Sequence, residues 1–205
     1  MNAPIDTTAR SKAKADRRAA LLGAAATLFA RSGFKGVSIE DLGAAAGVSG
    51  PAVYRHFNGK QAVLSALLID VSEGLMTGGR AVVTDTADAA AALRNLVGFH
   101  VDFALANPDV IRVQDRDLDS LAESDRHRVR ALQREYVELW VQVLQRVHPS
   151  IDEALLRIRA HATFGLLNST PHSARTSSKT AVRTLFQEMA LAALGVPAAS
   201  GVRRV

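Results

Sequence analysis

Cysteine is absent from this 205-residue chain, which removes a disulfide framework, a thiolate metal site and a cysteine nucleophile together. A reducing compartment suits such a composition, so the chain is read as cytoplasmic. Missing too is any stretch of roughly 18 charge-free apolar residues, the length a membrane span requires. Met1 to Lys14 is polar and basic without an apolar segment, so neither export nor a membrane partner is expected. Strand-like alternation is almost wholly lacking, no internal repeat is visible, and low complexity is confined to alanine-rich helix and the two ends. No two histidines stand four residues apart. No nucleophile, base and orienting group form a visible set, and carboxylates such as Glu135 with Glu138 or Asp115 with Asp117 read as solvated helix faces. The expectation is therefore a protein that is not an enzyme, with no catalytic residue, metal or cofactor.

What is present is apolar content and an uneven distribution of charge. At 48% hydrophobic, the chain can bury one generous core, or a small head on a larger body, without staples. Residues 1–60 carry nine Lys or Arg against Asp6, Asp16, Glu40 and Asp41, so the whole formal excess of +5 lies there. Residues 61–205 hold sixteen charges of each sign. An anionic partner for the front of the chain, with a neutral body behind it, follows from that partition.

Helical period dominates after residue 14. Leu21, Leu22, Ala25, Leu28 and Phe29 recur at three- and four-residue steps until Gly33, which suits a left-handed cap. Ser38 and Asp41 form a variant capping box opening a short second helix. Gly47 turns the chain, and Ser49 caps a third helix with Pro51 in its first turn. Asn58-Gly59 breaks that helix, and Lys60 begins a fourth with the stripe Val63, Leu64, Leu67, Leu68 and Val71. Beyond Gly78-Gly79 the pattern resumes in longer helices. One carries Leu93, Leu96, Val97, His100, Phe103 and Ala104 and ends at Asn107-Pro108. Another runs from about Leu121 to Val147 with Val129, Leu132, Tyr136, Leu139, Trp140, Val143 and Val147 inward. Two more follow, from about Asp152 to Ser169 and over Val182, Leu185, Phe186, Met189, Ala190 and Ala193. The fold class is all-α with about nine helices. The expected division is a flexible basic arm at 1–13, a DNA-binding domain at 14–68, a ligand-binding and dimerisation domain at 69–197 and a flexible tail at 198–205.

The span from Ser38 to Phe57 reads S-I-E-D-L-G-A-A-A-G-V-S-G-P-A-V-Y-R-H-F, the spacing of a helix-turn-helix. Small Gly43 and Ala44 permit two short helices to cross closely, Gly47 makes the turn, and Ile39, Leu42, Val48 and Val53 fill the wedge. This motif, with Asn58-Gly59-Lys60 after it, resembles the DNA-binding head of the tetracycline-repressor (TetR) family over about residues 14–68. The resemblance implies that Ser38 donates to phosphate or caps its helix, that Ser49, Gly50, Pro51, Ala52 and Tyr54 face bases or the sugar-phosphate rim, and that His56 and Lys60 hold phosphates. Phe57 reads as core. Gly50 and Ala52 stand where relatives often carry larger polar side chains, so specificity is expected from methyl contacts, backbone or DNA shape. Arg10, Lys12 and Lys14 are candidates for a minor groove.

Past residue 70 the likeness is topological, with a closer local match between Asp115 and Ser173 to an actinobacterial subgroup through R-D-L-D-S-L, Q-R-E-Y-V-E-L-W and G-L-L-N-S-T-P-H-S. The resemblance implies a lipophilic effector, sometimes an acyl-CoA. Candidate effector contacts are His100, Phe103, Tyr136, Trp140, His161, Phe164 and Asn168, apolar walls with a few polar groups. The last two helices carry more apolar surface than one body covers, which points to a homodimer. Expected partners are double-stranded operator DNA, a second copy and a small-molecule inducer. The functional expectation is a ligand-released repressor on a palindromic operator, with a ligand-independent architectural DNA binder or an activator of the same fold as alternatives.

Overall fold

The computed structural model describes residues 5–173 and 178–196, and within them the chain is all-α. The helices are α1 (Ile5–Ser32), α2 (Ile39–Ala45), α3 (Gly50–Val53), α4 (Lys60–Thr84), α5 (Ala89–Ala106), α6 (Pro108–Asp117), α7 (Glu123–Val147), α8 (Glu153–Leu167), α9 (Thr170–Ser173) and α10 (Lys179–Ala193). A 3-10 turn, Leu118–Ser120, separates α6 from α7. About nine helices were expected; the described residues carry ten when the single turn α9 at Pro171 is included. The tail at 198–205 lies outside the described residues.

The chain forms two compact units, one from residues up to Asp70 with Arg112–His127, the other from Val71–Ile111 with the chain from Arg128 onward. The first unit packs Leu21, Leu22, Ala25 and Phe29 of α1 with Ile39, Leu42, Val53 and Phe57 and with Val63, Leu64, Leu67 and Leu68 of α4. Gly33 ends α1 in a left-handed conformation, φ 76°, as the sequence suggested. The start of α1 differs from expectation: it lies at Ile5, inside the segment read as an arm. Alanines alternating with Arg and Lys are strong helix formers, and an exposed helix needs no apolar stripe.

The inclusion of Arg112–His127 departs from a head of residues 14–68 alone. Arg116 donates to the carbonyls of Phe29 and Ala30 at the end of α1 and lies 3.1 Å from the buried Asp117 carboxylate. Its guanidinium thus adds a charged donor at the C-terminal carbonyls of α1, of which Phe29 O also accepts from the Gly33 amide at 2.8 Å. Ser65 Oγ donates to Asp125 at 2.6 Å, and Gln61 donates to the Ser120 carbonyl. Val113 and Leu121 are buried within the same unit.

In the second unit α10 packs against α5 and α8 over Leu93, Leu96, Val97, Trp140, Leu144, Leu156, Phe186 and Ala190. Gly78 and Gly79, read as a break, lie inside α4. A Cβ on Gly78 would stand 2.4 Å from Phe99 Cζ, and one on Gly79 would stand 2.6 Å from Tyr136 Cε2. These glycines therefore serve close helix packing rather than a turn. The stripe expected on α10 also divides: Val182, Phe186 and Ala190 are buried, whereas Leu185 and Met189 are 51% and 44% exposed. The apolar arc is wider than the body covers.

By length and composition α4 is apolar enough to cross a membrane. Its Asp70 is paired with Arg18, and Val63, Leu64, Leu67 and Leu68 are buried, which is the pattern of a packed core helix.

Candidate nucleic-acid interface and buried aromatic cluster

The head motif is held by local bonds. The Asp41 amide donates to Ser38 Oγ at 3.0 Å, and the Ser38 amide donates to Asp41 Oδ2 at 2.9 Å, completing the reciprocal capping box. Ser38 Oγ–H is also engaged, donating to Asp41 Oδ2 at 2.7 Å. These bonds, the Ser38 amide first, hold the Asp41 carboxyl below the usual carboxylate range. Of the two alternatives for Ser38, the cap is the geometry present. Gly47 turns the chain at φ 69°. A Cβ on buried Gly43 would stand 2.9 Å from the Val48 carbonyl oxygen, so the close crossing requires glycine there. Ala44, expected to share that role, is exposed instead; it lies about 100° round α2 from Gly43, beyond the buried arc of Ile39, Leu42 and Gly43.

Helix α3 has four residues, with Ser49 at its N-cap and Pro51 in the first turn. Ser49 makes no side-chain cap bond, unlike the reading from sequence. Its hydroxyl is exposed, as is Pro51, while Gly50 and Ala52 are half-buried. Tyr54 is 57% exposed on the turn after α3. A Cβ on Gly50 would find only ordinary contact with Glu40 at 3.5 Å, so nothing steric demands glycine. His56 is half-buried. The Lys60 ammonium lies 4.6 Å from the Phe34 ring centroid, a cation–π contact that holds the charged tip of the side chain near the start of α4. Tyr54, His56 and Lys60 thus follow one another through the α3–α4 turn, where Gly59 has φ 100°.

The second unit gathers six of the seven residues named from sequence for an effector. His100 is 5.1 Å from Phe164, 5.8 Å from Phe103, 5.8 Å from Tyr136 and 6.1 Å from Trp140, between ring centroids. Trp140 and Phe164 stand edge-on at 4.9 Å. His100 Nε2 is 3.1 Å from Asn168 Oδ1 and Nδ1 is 3.4 Å from the Tyr136 hydroxyl. Burial pushes His100 down to about 4, against the opposing bond to Asn168. The ring is therefore neutral near pH 7; a proton on Nε2 donates to Asn168, leaving Nδ1 to accept from Tyr136. Burial likewise pushes the Tyr136 phenol up. The Trp140 indole N–H is buried beside the Tyr136 hydroxyl and makes no well-formed hydrogen bond among the described residues.

His161 does not join the cluster. It is exposed and lines a groove of about 350 Å³ with Arg130, Arg134, Val137, Glu138 and Arg157. The buried line of α8 is Leu156, Ala160, Thr163 and Leu167; Phe164 borders it, whereas His161 lies further round the helix toward solvent. Arg157 is held by Glu138 at 2.6 Å and Glu153 at 2.8 Å. Sequence reading missed this guanidinium-lined groove and the Arg116 bonds, although Arg116 opens the quoted R-D-L-D-S-L stretch. On α8, Leu155 and Ile158 are 55% and 62% exposed, apolar surface of the kind already seen on α10.

Comparison with known proteins agrees with this geometry. Residues 21–67 match the model of bacterial regulatory proteins of the tetR family, and residues 86–172 match a tetracyclin repressor-like C-terminal domain. The chain is 29% identical over 143 residues to the HTH-type transcriptional repressor KstR2 of Rhodococcus jostii RHA1, covering 69% of each chain. It is 32% identical over 124 residues to the nucleoid occlusion factor SlmA of Marinomonas sp. MWYL1, covering 60% of this chain and 62% of that one. Among solved structures, AibR in complex with isovaleryl coenzyme A and operator DNA superposes with TM-score 0.70 at 16% identity, over 84% of this chain and 97% of that one. With its helix-turn-helix and its helical C-terminal body both matched, the chain belongs to the TetR family of DNA-binding transcriptional regulators.

Proposed function

We propose that this protein is a ligand-responsive transcriptional repressor: a homodimer binds a palindromic operator in the cytoplasm and is released by a small lipophilic effector of the acyl-CoA type. The observation that carries the reading is the exposed Tyr54 at the end of a four-residue α3, within residues 1–60, which hold the whole formal excess of +5. In this reading Ser49, Gly50, Pro51, Ala52 and Tyr54 approach the major groove, while His56 and Lys60 meet phosphates and Ser38 holds α2 in place. Dimerisation through α8 and α10, by way of Leu155, Ile158, Leu185 and Met189, sets two heads about 34–36 Å apart for successive major grooves.

His100, Phe103, Tyr136, Trp140, Phe164 and Asn168 form the effector site, with His161 on the exposed side of α8. The Trp140 N–H, buried without a well-formed hydrogen bond, offers a donor for a carbonyl such as a thioester's. The ligand in the AibR structure supports the acyl-CoA class. Binding that favours a wider head separation lowers operator affinity by linkage, and the operator lowers effector affinity by the same factor.

The test is a titration of full-length protein against a duplex it selects from genomic fragments, with and without a panel of acyl-CoA thioesters. Reciprocal weakening of the two affinities is expected. Tyr54→Ala should lose affinity and discrimination, whereas Lys60→Ala should weaken all duplexes alike and reduce the salt slope by about one. No selected duplex, or indifference to Tyr54→Ala, overturns DNA recognition. The similarity to SlmA favours a second reading, a DNA-binding factor without an effector; unchanged duplex affinity across the thioester panel would select it.

A further inference from the structure

Helix α1 starts at Ile5, yet its first buried residue among those described is Leu21. Ala9 through Arg17 are all exposed and carry Arg10, Lys12, Lys14 and Arg17 against Asp16 alone. Nine helical residues span about 14 Å, so a basic rod leaves the head with no apolar face to bury. Its charges are not scattered evenly. At 3.6 residues per turn Arg10, Lys14 and Arg17 share one narrow face, whereas Lys12 and Asp16 fall on the opposite side.

The root of the rod is fixed. Arg18 reaches Asp70 through two hydrogen bonds, at 2.5 and 3.2 Å, and its guanidinium carbon lies 5.5 Å from the Phe57 ring centroid. Phe57 immediately follows His56 and is three residues past Tyr54. The overhang therefore springs from the end of the segment that carries the groove-facing side chains. A helix without a packed face gains little from the fold, but cations repeated along one side of a helix match a duplex bearing one negative charge per about 1.7 Å of axis.

We propose that the Arg10–Lys14–Arg17 face of α1 is a second contact surface for duplex DNA, lying on the phosphate backbone flanking the sequence read by α3. It rests on the DNA-binding reading above and adds affinity without sequence choice, as a helix rather than as a flexible arm in a minor groove.

The experiment uses full-length protein and a duplex it selects from a random 40-base-pair library, read by anisotropy across a salt series. The Lys14→Gln/Arg17→Gln double variant keeps helix propensity and should lower the log–log salt slope by about two per bound protomer. Lys12→Gln, on the opposite face, should lower it by much less. Trimming the duplex flanks should weaken the wild type more than the double variant, which keeps only Arg10 on that face. An unaltered slope in the double variant, an equal effect of Lys12→Gln, or equal sensitivity of both proteins to trimming overturns the proposal. If Tyr54→Ala still weakens binding in that case, only the α1 surface is lost. If Tyr54→Ala is silent as well, the parent reading falls with it.

Discussion

A single imidazole links the aromatic cluster to acidity. His100 is buried, with Asn168 and Tyr136 on its two nitrogens, and burial sets its proton affinity at about 4. The unfolded chain takes up that proton near pH 6.5, so its contribution to stability is complete above 6.5 and is lost as pH falls toward 4. The difference amounts to about 3 kcal/mol at the acid end. Urea midpoints measured from pH 7.5 to 4 should fall more steeply for the wild type than for His100→Gln, and parallel curves would refute the assignment. His100, Tyr136 and Trp140 were visible in the sequence because they fall on inward stripes of two helices. Their grouping with Asn168 was named from residue type; the surroundings of the Trp140 N–H were not legible, since hydrogen-bond satisfaction depends on where three separate helices place their atoms. His161 stands apart from the cluster because the core line of α8 runs through Leu156, Ala160, Thr163 and Leu167, a line fixed by packing against other helices and not by its spacing from Phe164.

At the level of helices, glycine was the residue most easily misread. Gly33, Gly47 and Gly59 do end or turn elements, each with positive φ, and their neighbours Ser38, Ser49 and Asn58 signalled that. Gly78 and Gly79 carry no such flanking signal, and the partners that need them, Phe99 and Tyr136, lie 21 and 57 residues away. Within α4 the same substitution should therefore act with opposite signs. Gly79→Ala forces a methyl against the Tyr136 ring and should cost about 1–3 kcal/mol. Gly74→Ala, with nothing within 4 Å of its Cβ, should stabilise by about 0.5–1 kcal/mol through the helix preference of alanine. Thermal melts of the two variants decide the matter; a stabilised Gly79→Ala protein would contradict the packing described.

The whole molecule depends on surface that one copy leaves open. Leu155 and Ile158 on α8 and Leu185 and Met189 on α10 are large apolar side chains at least 44% exposed, a pattern expected where a partner covers them. Ile158→Glu with Leu185→Glu should shift sedimentation from dimer to monomer and abolish selective duplex binding while leaving helix content unchanged. A dimer that survives both charges would place the contact elsewhere. The all-α class and the helix-turn-helix were legible from period and capping chemistry, which are local. Membership of Arg112–His127 in the head unit was not, because it rests on Arg116 meeting carbonyls 87 residues earlier and on Ser65 meeting Asp125. That membership has a practical edge for engineers who recombine sensors with new promoters. Exchanging only the first 70 residues between relatives would set Arg116, Val113 and Leu121 against a foreign α1 and α4, so a working hybrid needs a graft in two pieces, transplanted together.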